Sequence, residues 1–446
     1  MAPRVITPSG RGFLLLDSHP AGCQRTVAAL AAGVPPLSGS SAGRRPVALV
    51  IGSSAGYGLA MTVAGLARYG ITGVGICLEK APGRRTGTAG WYRTAATADL
   101  AASLGTDFTF LNVDAFSDAA KEQAAAILAR RFGPVDYLVY SVAAPRRTDP
   151  ETGITYSSVL KPLGRPAAMR TLGFSADGEP ALAEAVIEAA TQEEEAATVA
   201  VMGGADWQRW VTDLGRRGLL AAGFRTVALT YIGSELTAPI YREGTIGAAK
   251  MDLEATAGAI TKSLDGAGLA WTCVNGAAVT QASTHIPGIA LYVSLLRAVL
   301  GDALQSPAEH SVQLWDQLTG RAPVDTGEDW RIRLDRWELD PAVQAEVARR
   351  WRAATPDTLT DLADTGWFRS QFRGLYGFDV PGIDYSLPVE TDIPWPGEES
   401  SAVLPALNRQ CTSSPDNAGS RRMNRPVRHI SRVPEIAAIS SARPMT

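Results

Sequence analysis

"VALVIGSSAGYGLA", residues 47–60, runs an unbroken apolar segment into Gly52, Ser53, Ser54, Ala55, Gly56, Tyr57 and Gly58, and then into a helical pattern. An apolar run of that length suits a strand covered on both faces, as in a parallel sheet. Where such a strand turns straight into a helix, the first helical N–H groups are unpaired and the helix dipole favours an anion beside them. Glycines there let the backbone turn tightly and approach a pyrophosphate, although any tight strand-to-helix turn also favours glycine.

Working outward, short β-branched runs alternate with helix-length amphipathic stretches from residue 46 onward, the pattern of a parallel sheet clothed by helices. Strands are expected at 46–52, 73–79, 107–114, 136–143, 225–232 and 269–277, with helices at 58–70, 118–133 and 248–264. The fold class expected is therefore α/β, a doubly wound parallel sheet. The connection from about 145 to 224 is too long for an ordinary crossover, and a helical insertion between the fourth and fifth strands is expected there. Its acidic "TQEEEAAT" reads as a solvated helix face. Residues 286–390, rich in Trp and Arg, add C-terminal helices. One elaborated catalytic domain is expected over 1–394, with 1–45 packed on it, followed by a disordered Pro/Ser/Arg-rich tail over 395–446.

Composition narrows the class. A net charge of -3 offers no electrostatic reason to expect nucleic acid. Cys23, Cys77, Cys273 and Cys411 are scattered, without CxxC spacing or a flanking histidine, so no metal site is expected and the thiols read as reduced. The N-terminus lacks a basic segment followed by an apolar run. The most apolar stretch, 286–302, is interrupted by Arg297 and is too short for a span of roughly 20 residues. These features read as a cytoplasmic protein without a membrane span.

Three further strand ends support dinucleotide binding. The second strand ends in Leu78 and Glu79, where a carboxylate can accept from adenosine ribose hydroxyls and repel a 2′-phosphate, favouring NADH over NADPH. Lys80, Arg84 and Arg85 follow closely and offer that phosphate a partner, and a solvent-facing strand end is the plainer reading of Glu79. The third strand ends at Asp114 and Ala115, beside the expected adenine, and the fourth at Val142 and Ala143, beside the expected nicotinamide ribose.

The reactive end is read from "PIYREGTIGAAKMD", residues 239–252. Tyr241 and Lys250 are nine apart, which on a continuous helix means about 900° of rotation and about 13.5 Å of rise, so the side chains would point to opposite sides. Gly244 and Gly247 are poor helix-interior residues and Thr245 suits an N-cap, so the chain should break there, with Tyr241 folded back toward the helix carrying Lys250. The chain has five lysines among 42 basic residues, which makes a lysine at 250 a less casual choice than an arginine. Tyr231, at the end of the fifth strand, competes for the acid role. His19 and His285 are the histidines nearest plausible pocket segments.

The G-x3-G-x-G loop resembles that of short-chain dehydrogenases/reductases, whose Rossmann-type fold then applies here. Together with "LEKAPGRRTGTAGWYRTAA", "VMGGADWQRWV", "TYIGSELTAPIYREGTIGAAKMDL", "VTQASTHIP" and "RWELDPAVQAEV", the chain resembles the trans-2-enoyl-CoA reductases and the V-type NADH-dependent enoyl-acyl-carrier-protein reductases over about residues 11 to 393. The resemblance implies Tyr241 as proton donor, Lys250 as cofactor-binding partner, and Tyr231 as a substrate contact. It implies NADH contacts from residues 52–57, Leu78, Glu79, Asp114, Ala115, Val142, Ala143, Ala278, Val279 and Thr280. Some members carry a second lysine where this chain has Met251. The function expected is NADH-dependent reduction of trans-2-enoyl thioesters, on coenzyme A or acyl carrier protein, in fatty acid biosynthesis by a monomer. The rival readings are a 3-ketoacyl thioester reductase of the short-chain family and a non-catalytic NAD(H)-sensing protein.

Overall fold

The computed structural model describes residues 2–37, 43–175 and 178–397. A small antiparallel hairpin, β1 (Gly10–Arg11) with β2 (Leu14–Leu15), precedes helix α1 (Pro20–Ala32). Then β3 (Val47–Ile51), α2 (Gly56–Ala64), β4 (Thr72–Cys77), α3 (Ala89–Ser103), β5 (Phe108–Asn112), α4 (Asp118–Ile127) and β6 (Val135–Tyr140) follow in strict alternation.

The insertion is not wholly helical, contrary to expectation. It holds two antiparallel hairpins, β7 (Arg146–Thr148) with β8 (Thr155–Ser157) and β9 (Ala167–Phe174) with β10 (Pro180–Ile187), before helices α5 (Gln192–Met202) and α6 (Ala205–Arg216). "PALAEAVI" alternates half-buried and exposed positions along β10 except for a slip at Ala183 and Glu184, both exposed, so its two-residue period is broken and easily passed over in an alanine-rich segment. The acidic stretch before α6 caps α5: Thr191 and Glu194 form a reciprocal capping box, and Glu194 also pairs with Lys161 at 2.7 Å.

Beyond the insertion come β11 (Leu220–Thr230), α7 (Thr245–Ser263), β12 (Gly268–Val274), α8 (Ile289–Leu300), α9 (Pro307–Leu318), β13 (Ile332–Arg333), α10 (Pro341–Ala353), α11 (Leu359–Leu362) and α12 (Thr365–Gly374). Seven strands pair in parallel in the order β13-β12-β11-β6-β3-β4-β5. The seventh, β13, is only two residues long and carries no periodicity to read. All five residues of central β3 are buried, whereas edge strand β5 alternates buried and half-buried positions before exposed Asn112.

Helices cover both faces. Met61 of α2 and Trp315 of α9 pack with Val50 and Val227 on one face, while Trp207 and Trp210 of α6 and Leu253 of α7 pack with Leu49 and Leu138 on the other. A third cluster joins α8, α10 and α12 to Tyr241 and Ile246. Among the described residues, no single helix is long and apolar enough to cross a membrane.

The "TAGWYR" stretch holds the C-terminal strap. Trp91 donates to the Ile393 carbonyl (2.8 Å), Tyr92 to that of Thr391 (2.9 Å) and Arg93 to that of Leu375 (2.5 Å). Trp395 is 7% exposed, its ring tilted 57° to that of Trp91 with centroids 4.8 Å apart, and it donates to the Phe110 carbonyl, so the packed chain reaches the expected tail start at 395. The described residues all lie in one compact unit. The rest of the stretch read as a tail, and Cys411, lie outside the described residues.

Candidate active site

The carboxyl edge of the sheet brings together the residues expected to hold the cofactor, where the strand order reverses between β3 and β6. A Cβ on Gly52, whose φ is +89°, would lie 2.0 Å from the Ser141 carbonyl oxygen, and one on Gly58 would lie 2.0 Å from that of Gly52. The turn therefore passes hard against the end of β6, just before Val142 and Ala143. Helix α2 starts at Gly56 with Ala55 as N-cap and no side chain capping it, which leaves its first N–H groups open to a phosphate. Gly56 faces Thr280, with a would-be Cβ 3.6 Å from the Thr280 methyl, so the loop bearing Ala278, Val279 and Thr280 lies beside the glycine turn. Tyr57 spans the same gap by donating to the Gly276 carbonyl at 2.8 Å.

Glu79 is anchored rather than a free strand end. Ser54 donates to its Oε1 at 2.6 Å and Thr88 donates to its Oε2. Gly90 makes the room, since a Cβ there would meet Glu79 Oε1 at 2.0 Å. Beside it Leu78 is 68% exposed, an apolar surface next to Glu79. Asp114 accepts from the Phe116 amide at 3.0 Å, and the Ala115 carbonyl takes hydrogen bonds from Lys121 (3.0 Å) and Trp210 (3.2 Å). Lys121 is buried and ion-paired with Asp206 at 2.8 Å. The "ADW" of the insertion thus holds the Asp114–Ala115 loop through Lys121.

At the reactive end the chain breaks at Gly244, not at Thr245. Gly244 is the N-cap in extended geometry and Thr245 is already helical. The Thr245 hydroxyl is occupied elsewhere, donating to Val159 (2.6 Å) and accepting from the Lys161 amide (3.3 Å). Tyr241 lies in the preceding turn, its N–H on the Thr237 carbonyl at 3.0 Å. Gly247 lets the first turn of α7 press on that turn: a Cβ there would stand 2.1 Å from the Arg242 carbonyl oxygen and 2.5 Å from that of Tyr241.

Tyr241 is 5% exposed, and among the described residues its hydroxyl has no hydrogen-bond partner. Burial, reinforced by the nearby Glu338 carboxylate, raises its pKa far above the ordinary value, so the phenol keeps its proton. Lys250 likewise has no hydrogen-bond or ion-pair partner among the described residues, and desolvation lowers its pKa to about 8 against the opposing pull of Glu254. No hydrogen bond joins Tyr241 to Lys250. Tyr231 and Tyr241 do meet, ring centroids 4.9 Å apart and edge-on.

Two groups central to the site escaped the sequence reading. Glu338 accepts from Tyr231 (2.6 Å), Tyr292 (2.8 Å) and the Ala277 amide (2.5 Å). His310 accepts at Nε2 from Trp337 (3.0 Å), which puts its proton on Nδ1; Nδ1 donates to Tyr57 (2.8 Å), and Tyr57 passes its own proton to Gly276. Burial lowers the His310 pKa to about 4, so this neutral tautomer holds. His19 instead caps α1 through Nδ1, while Thr284 of the same turn as His285 is buried. "RWELDP" carries no local mark that its glutamate is buried.

Three family models match in succession: one described as the NAD(P)H binding domain of trans-2-enoyl-CoA reductase over residues 5–84, one as the trans-2-enoyl-CoA reductase catalytic region over 85–319, and one as an enoyl reductase FAD binding domain over 326–389. The enoyl-[acyl-carrier-protein] reductase [NADH] of Streptomyces avermitilis is 62% identical over 392 residues, 88% of this chain and 100% of that protein. Its counterpart in Burkholderia pseudomallei is 43% identical over 87% of this chain and 98% of that protein. Among solved structures, the Clostridium acetobutulicum trans-2-enoyl-CoA reductase in complex with NADH is 31% identical, with a TM-score of 0.81 over 87% of this chain and 98% of that one. That of Treponema denticola in complex with NAD is 37% identical, with a TM-score of 0.78 over 86% and 98%. The segment matched by the flavin-domain model does not fit a flavin here: Trp351, Phe368, Phe372, Tyr376 and Phe378 are buried in the third cluster, and the buried carboxylate of Glu338 is already met by three donors.

Proposed function

The chain belongs to the trans-2-enoyl-CoA reductase family, and on that premise we propose that it reduces trans-2-enoyl thioesters in fatty acid biosynthesis, with Tyr241 as the proton donor. Bound NADH supplies a hydride to C3 of the enoyl group. The chain's residues manage the rest. The glycine turn and the open N-terminus of α2 take the pyrophosphate, Glu79 the adenosine ribose, and Asp114 and Ala115 the adenine. Val142, Ala143, Ala278, Val279, Thr280 and Lys250 surround the nicotinamide ribose. Tyr241 donates to the thioester oxygen, where negative charge develops as the enolate forms, and protonation at C2 completes the saturated product. Tyr231 contacts the substrate, and the buried face of α8, in the same apolar cluster as Tyr241, walls the acyl chain.

The observation that carries this reading is the contrast between two touching tyrosines: Tyr231 donates its hydroxyl to Glu338, while among the described residues the Tyr241 hydroxyl has no partner. In the same reading residues 1–394 act as one cytoplasmic, monomeric catalytic domain, a state that sedimentation of the full chain checks. The test of the reaction is NADH oxidation with crotonyl and longer enoyl groups on coenzyme A and on acyl carrier protein, beside acetoacetyl-CoA. Enoyl thioesters should be consumed faster; faster oxidation with acetoacetyl-CoA would favour carbonyl reduction, and no oxidation with any thioester would favour an NAD(H) sensor.

A further inference from the structure

We propose that Glu338 is a positioning residue of this reaction: it accepts the hydroxyl hydrogen bond of Tyr231 and fixes the loop after β12, leaving the Tyr241 hydroxyl to donate to the substrate oxygen. The proposal rests on Tyr241 being the donor.

Glu338 is 0% exposed and, among the described residues, has no cation paired with it. A carboxylate removed from water must be satisfied by donors or become neutral. Here three elements supply the donors. Tyr231, at the end of β11, and Tyr292, on α8, both donate to Oε1, while the Ala277 amide donates to Oε2. Ala277 directly precedes Ala278, Val279 and Thr280. One carboxylate therefore sets the orientation of the substrate-side tyrosine and the position of the cofactor-side loop together. Gln344 closes the arrangement from α10, donating to Tyr292 (3.0 Å) and to the Glu338 carbonyl (2.7 Å).

The charged and titratable groups facing Glu338 are Tyr231, Tyr292, Tyr241 from the turn before α7, Tyr57 from α2, and Asp335, which is itself paired with Arg333 at 2.7 Å. Burial pushes the Glu338 carboxyl up to about 7 against the pull of its three donors. A proton arriving on Oε1 must be accepted by a tyrosine oxygen, and that tyrosine's own O–H then turns away. The Ala277 amide is fixed in the backbone, so the tyrosines are what yield. The Tyr292 oxygen already accepts from Gln344, so the Tyr231 oxygen is the one open to that proton, and protonating Glu338 unfastens Tyr231 from the geometry that the ionised form imposes.

The test measures kcat and KM across pH for the full-length wild type, Glu338→Gln, Tyr231→Phe and the double variant. Glutamine offers one acceptor oxygen where glutamate offers two, so the tyrosines and the Ala277 amide can no longer both be satisfied. Wild-type kcat should fall as pH drops through about 7, and that limb should vanish in both single variants. Glu338→Gln should lose roughly tenfold in kcat and raise KM for NADH, and the double variant should be no slower than the slower single, because the two residues act as one unit. If Glu338→Gln does not fold, the pH limb of Tyr231→Phe decides alone. A limb near 7 that persists in Tyr231→Phe, or losses that multiply in the double variant, would overturn the proposal. An enzyme preferring acetoacetyl-CoA would instead defeat the enoyl reading beneath it.

Discussion

Tyr241 is buried and Lys250 half-buried, and desolvation moves their titrations in opposite senses: the phenol holds its proton more firmly, while the ammonium gives its proton up at about 8. Lys250 is therefore mostly charged at neutral pH and becomes neutral as pH rises through about 8. If its charge holds the cofactor, NADH affinity should weaken over that interval in the wild type, and Lys250→Met should bind NADH weakly with no such dependence. Fluorescence titration of NADH against pH checks this. Spacing and residue type singled out these two positions in the sequence. Glu338 was not, because a glutamate buried among tyrosines reads in one dimension like any other; its meaning depends on contacts with Tyr231 and Tyr292, 107 and 46 positions away.

Helix α7 shows how an element sets the site. Its start at Gly244 ends the turn carrying Tyr241, and Gly247 permits contact between that turn and the first helical residues. Gly247→Ala would place a methyl against two carbonyl oxygens that belong to backbone and cannot swing aside. Separating the turn from the helix should cost about 1–3 kcal/mol, seen as a lowered melting temperature, and should lower kcat as Tyr241 shifts. Gly258→Ala, on the same helix with open space around it, is the control and should be neutral or mildly stabilising. The break itself was legible, because nine residues of unbroken helix cannot bring two side chains to one face. Its exact residue was not, since Thr245 suits a cap equally well and only its contacts with Val159 and Lys161 show that its hydroxyl is spent elsewhere.

At the scale of the whole molecule, six of the seven parallel strands announce themselves as apolar runs, because a strand covered on both faces must be apolar along its length. The insertion did not: its hairpins β9 and β10 pair with each other outside the main sheet, so their burial is partial and their pattern faint. The molecule's design nevertheless converges on one place. The sheet supplies the carboxyl edge with the glycine turn, the insertion pins the Asp114–Ala115 loop through Lys121 and Asp206, and the C-terminal region brings Glu338 to Tyr231. The central claim, that this assembly presents Tyr241 as proton donor, is tested most directly by a single turnover of preformed enzyme–NADH with a crotonyl thioester, followed at the nicotinamide absorbance, in wild type and Tyr241→Phe. The account predicts a first-turnover rate lower by on the order of 10² or more, with the NADH dissociation constant unchanged within about twofold; an undiminished rate in Tyr241→Phe would contradict it.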